Sequence, residues 1–233
     1  MNSKPLIIAH RGASRYALEN TIPAFKLAEE LGADFIELDI HMTKDGELVV
    51  FHPFLIRNMK IRELTLKEIQ SIDVGVLFSF NYRGTYIPTL KEVLKEVNLK
   101  VNIEIKGNER IYPGILDKLL EVIEEYPVER FIFSSFDFNV LRNLKKKREN
   151  AVVEGLCFSP YGKSFPSFLS GINPYFMFVS KGMVDRMHLR SLTVKPYTVN
   201  NPLMMKRLIK IGVDGIFTDV PDVLKKVMES EKH

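Results

Sequence analysis

Cysteine is nearly absent: Cys157 stands alone among 233 residues, so no disulfide can form within the chain and a reducing compartment fits. Its neighbours Leu156 and Phe158 make that thiol a buried one. No apolar run approaches the length of a membrane span, and Leu6-Ile7-Ile8-Ala9 is too short for a signal-peptide core. A cytoplasmic protein without stable membrane association is therefore expected. Excess charge is scarce as well. Lys and Arg number 33 against 29 Asp and Glu, a net charge of +4, which suits a small anionic ligand and is too weak and dispersed for nucleic acid. Repeats and low-complexity segments are missing, and the one basic run, Lys145 to Arg148, reads as a solvated helix end. A homo-oligomer is neither demanded nor excluded.

What is present is ordinary globular material, 45% hydrophobic and 27% charged. The length allows one or two domains, and single α/β barrels fill this range. Strand-like runs recur at Leu6–His10, Phe35–Ile40, Leu48–Phe51, Lys100–Ile105, Arg130–Ser135, Val152–Phe158, Tyr175–Ser180, Leu192–Val199 and Gly215–Thr218, with helical patterns between them. Such alternation predicts a parallel sheet. Nine runs is one too many for an eightfold barrel. The Leu48 run follows its predecessor across a Lys44-Asp45-Gly46 turn, which permits only an antiparallel hairpin, because a parallel return needs about a dozen residues. Setting it aside leaves eight strands. The fold class expected is thus α/β, a TIM (β/α)8 barrel forming one domain over 1–233, with an insertion after the second strand at about 53–88. That insertion is expected to hold a short helix at Leu66–Ile72, and 159–174 to hold loops and short helices. Thr65 with Glu68 and Thr89 with Glu92 form capping boxes, Asn20 or Thr21 caps an early helix that Gly32 ends, and Asp137 and Asn200 fall where later caps belong.

Chemistry concentrates in the strand Phe35-Ile-Glu-Leu-Asp-Ile40. Side chains alternate along a strand, so Glu37 and Asp39 share one face and the apolar residues the other. Glu104 and Lys106 repeat that parity in Val101-Asn-Ile-Glu-Ile-Lys106. Three inward carboxylates on neighbouring strands repel one another without a cation, and hard oxygen ligands suit Mg²⁺ or Ca²⁺. The competing account is an internal Glu104–Lys106 ion pair with the other two acids solvated. His10 ends the first strand and the hairpin returns His52 to the same end of the sheet. Two imidazoles beside a metal can serve as general base and general acid. Arg11 offers a fork suited to phosphate, and Gly12 would let a ligand approach the backbone. His41 is read as a hairpin-surface residue, and His188 and His233 as incidental.

At these residues the chain resembles the glycerophosphodiester phosphodiesterase family. The likeness runs nearly end to end, through HRGASRYALENTIPAF, GADFIELDIHMTKDGELVVFH, IPTLKEVL, NIEIK, FIFSSFDFNVLRNL and YTVNNPLMMKRLIKIGVDGIFTDVPD. It implies a TIM barrel with a small inserted segment, and hydrolysis of small glycerophosphodiesters to sn-glycerol 3-phosphate and an alcohol. By matched position it implies His10 and His52 as catalytic residues, Glu37, Asp39 and Glu104 as ligands of a divalent metal (Mg²⁺ or Ca²⁺, with Mn²⁺ admissible), and Arg11 and Lys106 as phosphate-site cations. Two positions depart from the family pattern. Pro53 stands where Asp usually follows the second histidine, and Tyr197 stands where Trp usually walls the substrate pocket, which implies an altered headgroup preference. Lysophospholipase D or phospholipase-like activity is the enzymatic alternative, with SFPSFLSGINPYFMF as an apolar entrance, although buried packing accounts for that run more simply. A phosphate-ester binder weakened by Pro53 is the alternative of another class.

Overall fold

A computed structural model describes residues 4–77, 82–162 and 164–230. In chain order the elements are β1 (Leu6–Ala9), α1 (Ile22–Glu30), β2 (Phe35–Met42), β3 (Leu48–Val50), β4 (Leu55–Ile56), β5 (Met59–Lys60), α2 (Leu66–Gln70), α3 (Leu90–Glu96), β6 (Lys100–Ile105), α4 (Ile115–Val122), β7 (Phe131–Ser135), α5 (Phe138–Lys147), β8 (Val153–Cys157), β9 (Gly171–Pro174), α6 (Lys181–His188), β10 (Thr193–Val194), α7 (Pro202–Lys210), β11 (Gly215–Thr218) and α8 (Pro221–Ser230). Parallel pairing runs β10-β9-β8-β7-β6-β2-β1-β11. Backbone bonds from Asp214 N to Val194 O (2.9 Å), Phe217 N to Pro196 O (3.0 Å) and Val199 N to Phe217 O (2.8 Å) join the two ends of that path. The result is an eight-stranded TIM barrel, with β3 folded back antiparallel on β2.

Alternation decides what each face meets. Ile36, Leu38 and Ile40 of β2, with Ile103 and Ile105 of β6, are buried in the main core. The opposite parity faces inward, where Ile8, Phe35, Ile132 and Phe217 form a small apolar cluster. Above it the interior is polar. Glu154 accepts from Asn173 Nδ2 (2.9 Å), Thr193 Oγ1 (3.2 Å) and Lys195 Nζ, and all but Thr193 are buried. Local signals hold at the helix ends. Thr21 caps α1, Thr65 and Thr89 make reciprocal capping boxes with Glu68 and Glu92, and Asp137 caps α5.

Three expectations about elements need correction. The strand expected at Tyr175–Ser180 lies earlier, at Gly171–Pro174, inside the stretch expected to hold loops and short helices; residues 176–178 form a 3-10 turn. Glycine and proline weaken a strand signal, so the stronger apolar run after Pro174 drew the assignment. The Leu192 run is regular only at Thr193–Val194. Asn201, not Asn200, caps α7. The insertion holds the β4–β5 hairpin as well as α2, and packs Ile56, Ile61, Leu64, Ile69 and Ile72 into a cluster of its own against Val49. Residues 78–81 of the insertion and His233 lie outside the described residues. Among those described, no helix is long and apolar enough to cross a membrane.

Candidate active site

The site forms where β1, β2 and β6 end at the carboxyl rim of the barrel. Register sets Asp39 beside Glu104 and Glu37 beside Asn102 on adjacent strands. Ligand oxygens of Glu37, Asp39 and Glu104 all lie within 4.8 Å of one another. Asp39 and Glu37 are buried, so the account with two solvated acids fails, although its ion pair is present. Lys106 Nζ lies 2.7 Å from Glu104 Oε1 and 2.9 Å from Asp39 Oδ1; the second contact is electrostatic, off the line of a good hydrogen bond.

Arg11 follows His10 in the left-handed region, at φ +55°. That turn lets its backbone N–H donate to Glu37 Oε2 at 2.9 Å while its side chain doubles back. Nη1 meets both oxygens of Glu19 at 3.1 Å, and Nε lies 3.3 Å from Asp39 Oδ2. Both cations therefore first make the carboxylate cluster tolerable. Even so the charge is unbalanced. Burial, then repulsion from Asp39, raises Glu104 to about 7 and raises Glu37 well above the ordinary carboxylate range. Burial also pushes Asp39 upward, but Lys106 and Arg11 outweigh it and hold this carboxylate low. Three close, hard oxygen donors with two of them starved of positive charge fit a divalent cation.

His10 is tied to the barrel by its N–H to Thr218 O (2.9 Å). Its Nδ1 lies 2.8 Å from Asp219 Oδ1, which also accepts from Ser14 Oγ at 3.0 Å. Asn200 Nδ2 donates to Asp219 Oδ2 at 2.5 Å, and Asp219 N donates to Asn200 Oδ1 at 2.9 Å. Asp219 thus fixes the ring and leaves Nε2 as the nitrogen that a substrate can meet. His52 lines the same cavity. Burial lowers its pKa to about 4, with Lys106 and Arg11 adding to the effect against the pull of Asp39.

The cavity holds about 290 Å³. Its charged half comprises His10, Arg11, Glu37, His52, Glu104 and Lys106, and Tyr197 stands in the wall opposite; Asp39 lies under the floor. All eight residues singled out in the sequence therefore meet at one place. A shallower groove of about 640 Å³ adjoins it across Glu104, Lys106 and Phe136. Pro53 is exposed.

One reading from the sequence is overturned. His41 is fully buried, with Nδ1 2.7 Å from Tyr112 Oη and Nε2 3.2 Å from the His52 carbonyl oxygen. Strand β2 continues unbroken to Met42, so residue 41 keeps the parity of 37 and 39, and Phe54 and Tyr112 cover it. Gly12, at φ +85°, packs closely against α1: a Cβ there would lie 2.7 Å from the backbone of Ala24. Sequence reading also missed Asp219, Glu19 and the role of Asn20, whose Nδ2 donates to Asp39 Oδ2 at 2.9 Å. An acid directly after the last strand and an Asn-Thr pair before α1 were the available signals.

The sequence model of the glycerophosphoryl diester phosphodiesterase family matches residues 10–223. A glycerophosphodiester phosphodiesterase of Caldanaerobacter subterraneus is 40% identical over 235 residues, covering 95% of this chain and 96% of its own. The crystal structure of a glycerophosphodiester phosphodiesterase from Thermotoga maritima has a TM-score of 0.79 at 27% identity, over 97% of this chain and 100% of its own. An Oleispira antarctica phosphodiesterase, solved with the product sn-glycerol-3-phosphate, has a TM-score of 0.88 and 97% coverage of each chain. At 24% identity that likeness shows a shared fold.

Proposed function

This chain belongs to the glycerophosphoryl diester phosphodiesterase family, and on that premise we propose that the barrel-end cavity hydrolyses glycerophosphodiesters to sn-glycerol 3-phosphate and an alcohol. The observation that carries the reading is convergence: two histidines, two carboxylates and two cations line one cavity at the barrel end where such sites are built, with the third carboxylate, Asp39, buried beside them. Glu37, Asp39 and Glu104 would hold Mg²⁺ or Ca²⁺, with Mn²⁺ as a third candidate, supplying Lewis-acid polarisation of a phosphoryl oxygen and a lowered pKa for an attacking hydroxyl.

The protein's own groups move the protons and hold the charge. One of His10 and His52 takes the proton of the attacking hydroxyl or water, and the other gives a proton to the departing alcohol. Asp219 keeps the His10 ring aimed, so that Nε2 meets the substrate. Burial keeps His52 neutral before substrate arrives. Arg11 and Lys106 oppose the negative charge that develops on the phosphoryl oxygens.

The test is release of sn-glycerol 3-phosphate from glycerophosphocholine and glycerophosphoethanolamine by metal-stripped protein, with Mg²⁺, Ca²⁺ or Mn²⁺ added back. Release is expected only with metal, and His10→Ala or His52→Ala should lower it by about 10²–10⁴-fold. Folded protein that releases nothing with any of the three would point to a binder. Near-parental rates in both histidine variants would overturn the assignment of acid and base.

A further inference from the structure

The cavity has two unlike halves. Besides its charged residues, the cavity is walled by Phe136, Tyr175, Phe176 and Tyr197. These aromatics come from separate segments, following β7, β9 and β10. Tyr197 stands between two of them. Phe136 lies 6.2 Å away at 90°, and Tyr175 lies 6.1 Å away at 64°. Tyr175 meets Phe176 at 4.8 Å and 54°. Rings set edge to face in this way make adjoining walls of a corner and not a stack. From behind, Phe158 stacks on Tyr175 at 5.0 Å and 8°, which fixes the plane of that wall. The Tyr197 hydroxyl is turned toward the Cys157 carbonyl oxygen at 3.4 Å.

Chemistry narrows what such a corner takes. An aromatic face attracts a cation through its quadrupole, and most effectively one that sheds little hydration. A primary ammonium is strongly hydrated and requires hydrogen-bond acceptors once it leaves water; the carboxylates that line the cavity, Glu37 and Glu104, belong to the cluster that would hold the metal. A quaternary ammonium donates no hydrogen bond and asks only for faces. A volume of about 290 Å³ lies at the small end of ligand cavities and suits a compact headgroup.

We propose that the Phe136–Tyr175–Tyr197 corner is a quaternary-ammonium pocket, which makes the choline ester the selected glycerophosphodiester. The proposal rests on the phosphodiesterase reading above. With phosphate in the charged half, the alcohol's cationic end has the aromatic half of the same cavity open to it. Tyr197 supplies the face that this requires.

Steady-state kcat/KM of the metal-loaded enzyme on three substrates tests it: glycerophosphocholine, glycerophosphoethanolamine, and the 3,3-dimethylbutyl ester, in which carbon replaces the quaternary nitrogen. The choline ester should exceed each of the others by about tenfold. Tyr197→Leu should bring the ratio of choline ester to neutral isostere toward one, while Tyr197→Phe and Tyr197→Trp should preserve it. Phe136 is 56% exposed, so Phe136→Leu disturbs the fold little and provides an independent check with the same expected loss of preference. A ratio within twofold in the parent enzyme, or one that neither leucine variant moves, would overturn the pocket while leaving the phosphodiesterase reading in place. Absence of turnover on all three substrates would sink that reading, and the pocket with it.

Discussion

Single residues set the proton chemistry. Asp219 touches His10 and no reacting atom, so its contribution is orientation. Asp219→Asn should lower kcat by about ten- to hundredfold with a smaller change in KM. His41 carries a different prediction, because burial lowers its pKa to about 4 in the folded protein, against 6.5 for an exposed histidine. Above pH 6.5 neither folded nor unfolded chain holds that proton, and the effect vanishes. As pH falls toward 4 the unfolded chain takes the proton first, so stability falls by about 1.4 kcal/mol per pH unit and by roughly 3 kcal/mol in all. His41→Gln cannot titrate. Thermal midpoints from pH 7.5 to 5.0 should therefore decline more steeply in the parent than in the variant. Parallel declines would show that His41 is protonated in the fold.

At the scale of elements, the turn after β1 and the start of α1 act together. Gly12 lets the chain pass against Ala24 with no side chain between, and the turn just before it aims the Arg11 N–H at Glu37. Gly12→Ala must accept a left-handed backbone and a clash with α1 backbone atoms, and should cost about 1–3 kcal/mol. Because α1 and the Arg11 turn would shift together, activity should fall with stability; a urea midpoint equal to the parent's would refute this packing role. The hairpin β2–β3 is legible in the sequence from its Lys-Asp-Gly turn. The strand β9 is not, since its four residues include Gly171 and Pro174 and its stability comes from pairing with β8 and β10.

For the whole molecule, the barrel interior carries a buried ion pair. Lys195 and Glu154 are both buried and paired, with Asn173 and Thr193 completing the carboxylate's hydrogen bonds. Removing one partner strands a buried charge. Lys195→Met should lower unfolding free energy by about 3–5 kcal/mol, and adding Glu154→Leu should recover most of that loss. Urea titrations of the single and double variants measure this, and a double variant no better than the single would show that the two residues do not act as a pair. Metal should act on the whole molecule as well. Any cation bound to Glu37, Asp39 and Glu104 in the folded state alone stabilises it by mass action, about 2.7 kcal/mol at a hundredfold excess over Kd. Thermal midpoints of stripped protein should rise with added Mg²⁺, Ca²⁺ or Mn²⁺, and Glu37→Gln should lose most of that rise.

Short-range physics made part of this protein readable in one dimension. Period-two alternation gave Glu37, Asp39, Glu104 and Lys106 a common face, and side-chain-to-backbone bonds three residues apart marked the caps at Thr65 and Thr89. A turn too short for a crossover reduced nine runs to eight. Alternation likewise gives His41 the parity of Glu37 and Asp39, so its inward, buried place is legible in the strand itself. Other features had no local signal to read. The pairing of Asp219 with His10 spans 209 positions, and the corner of Phe136, Tyr175 and Tyr197 joins three different strand ends. Only closure of the barrel brings such residues within contact distance, because parallel strands place every carboxyl end, and whatever side chain follows it, around one rim.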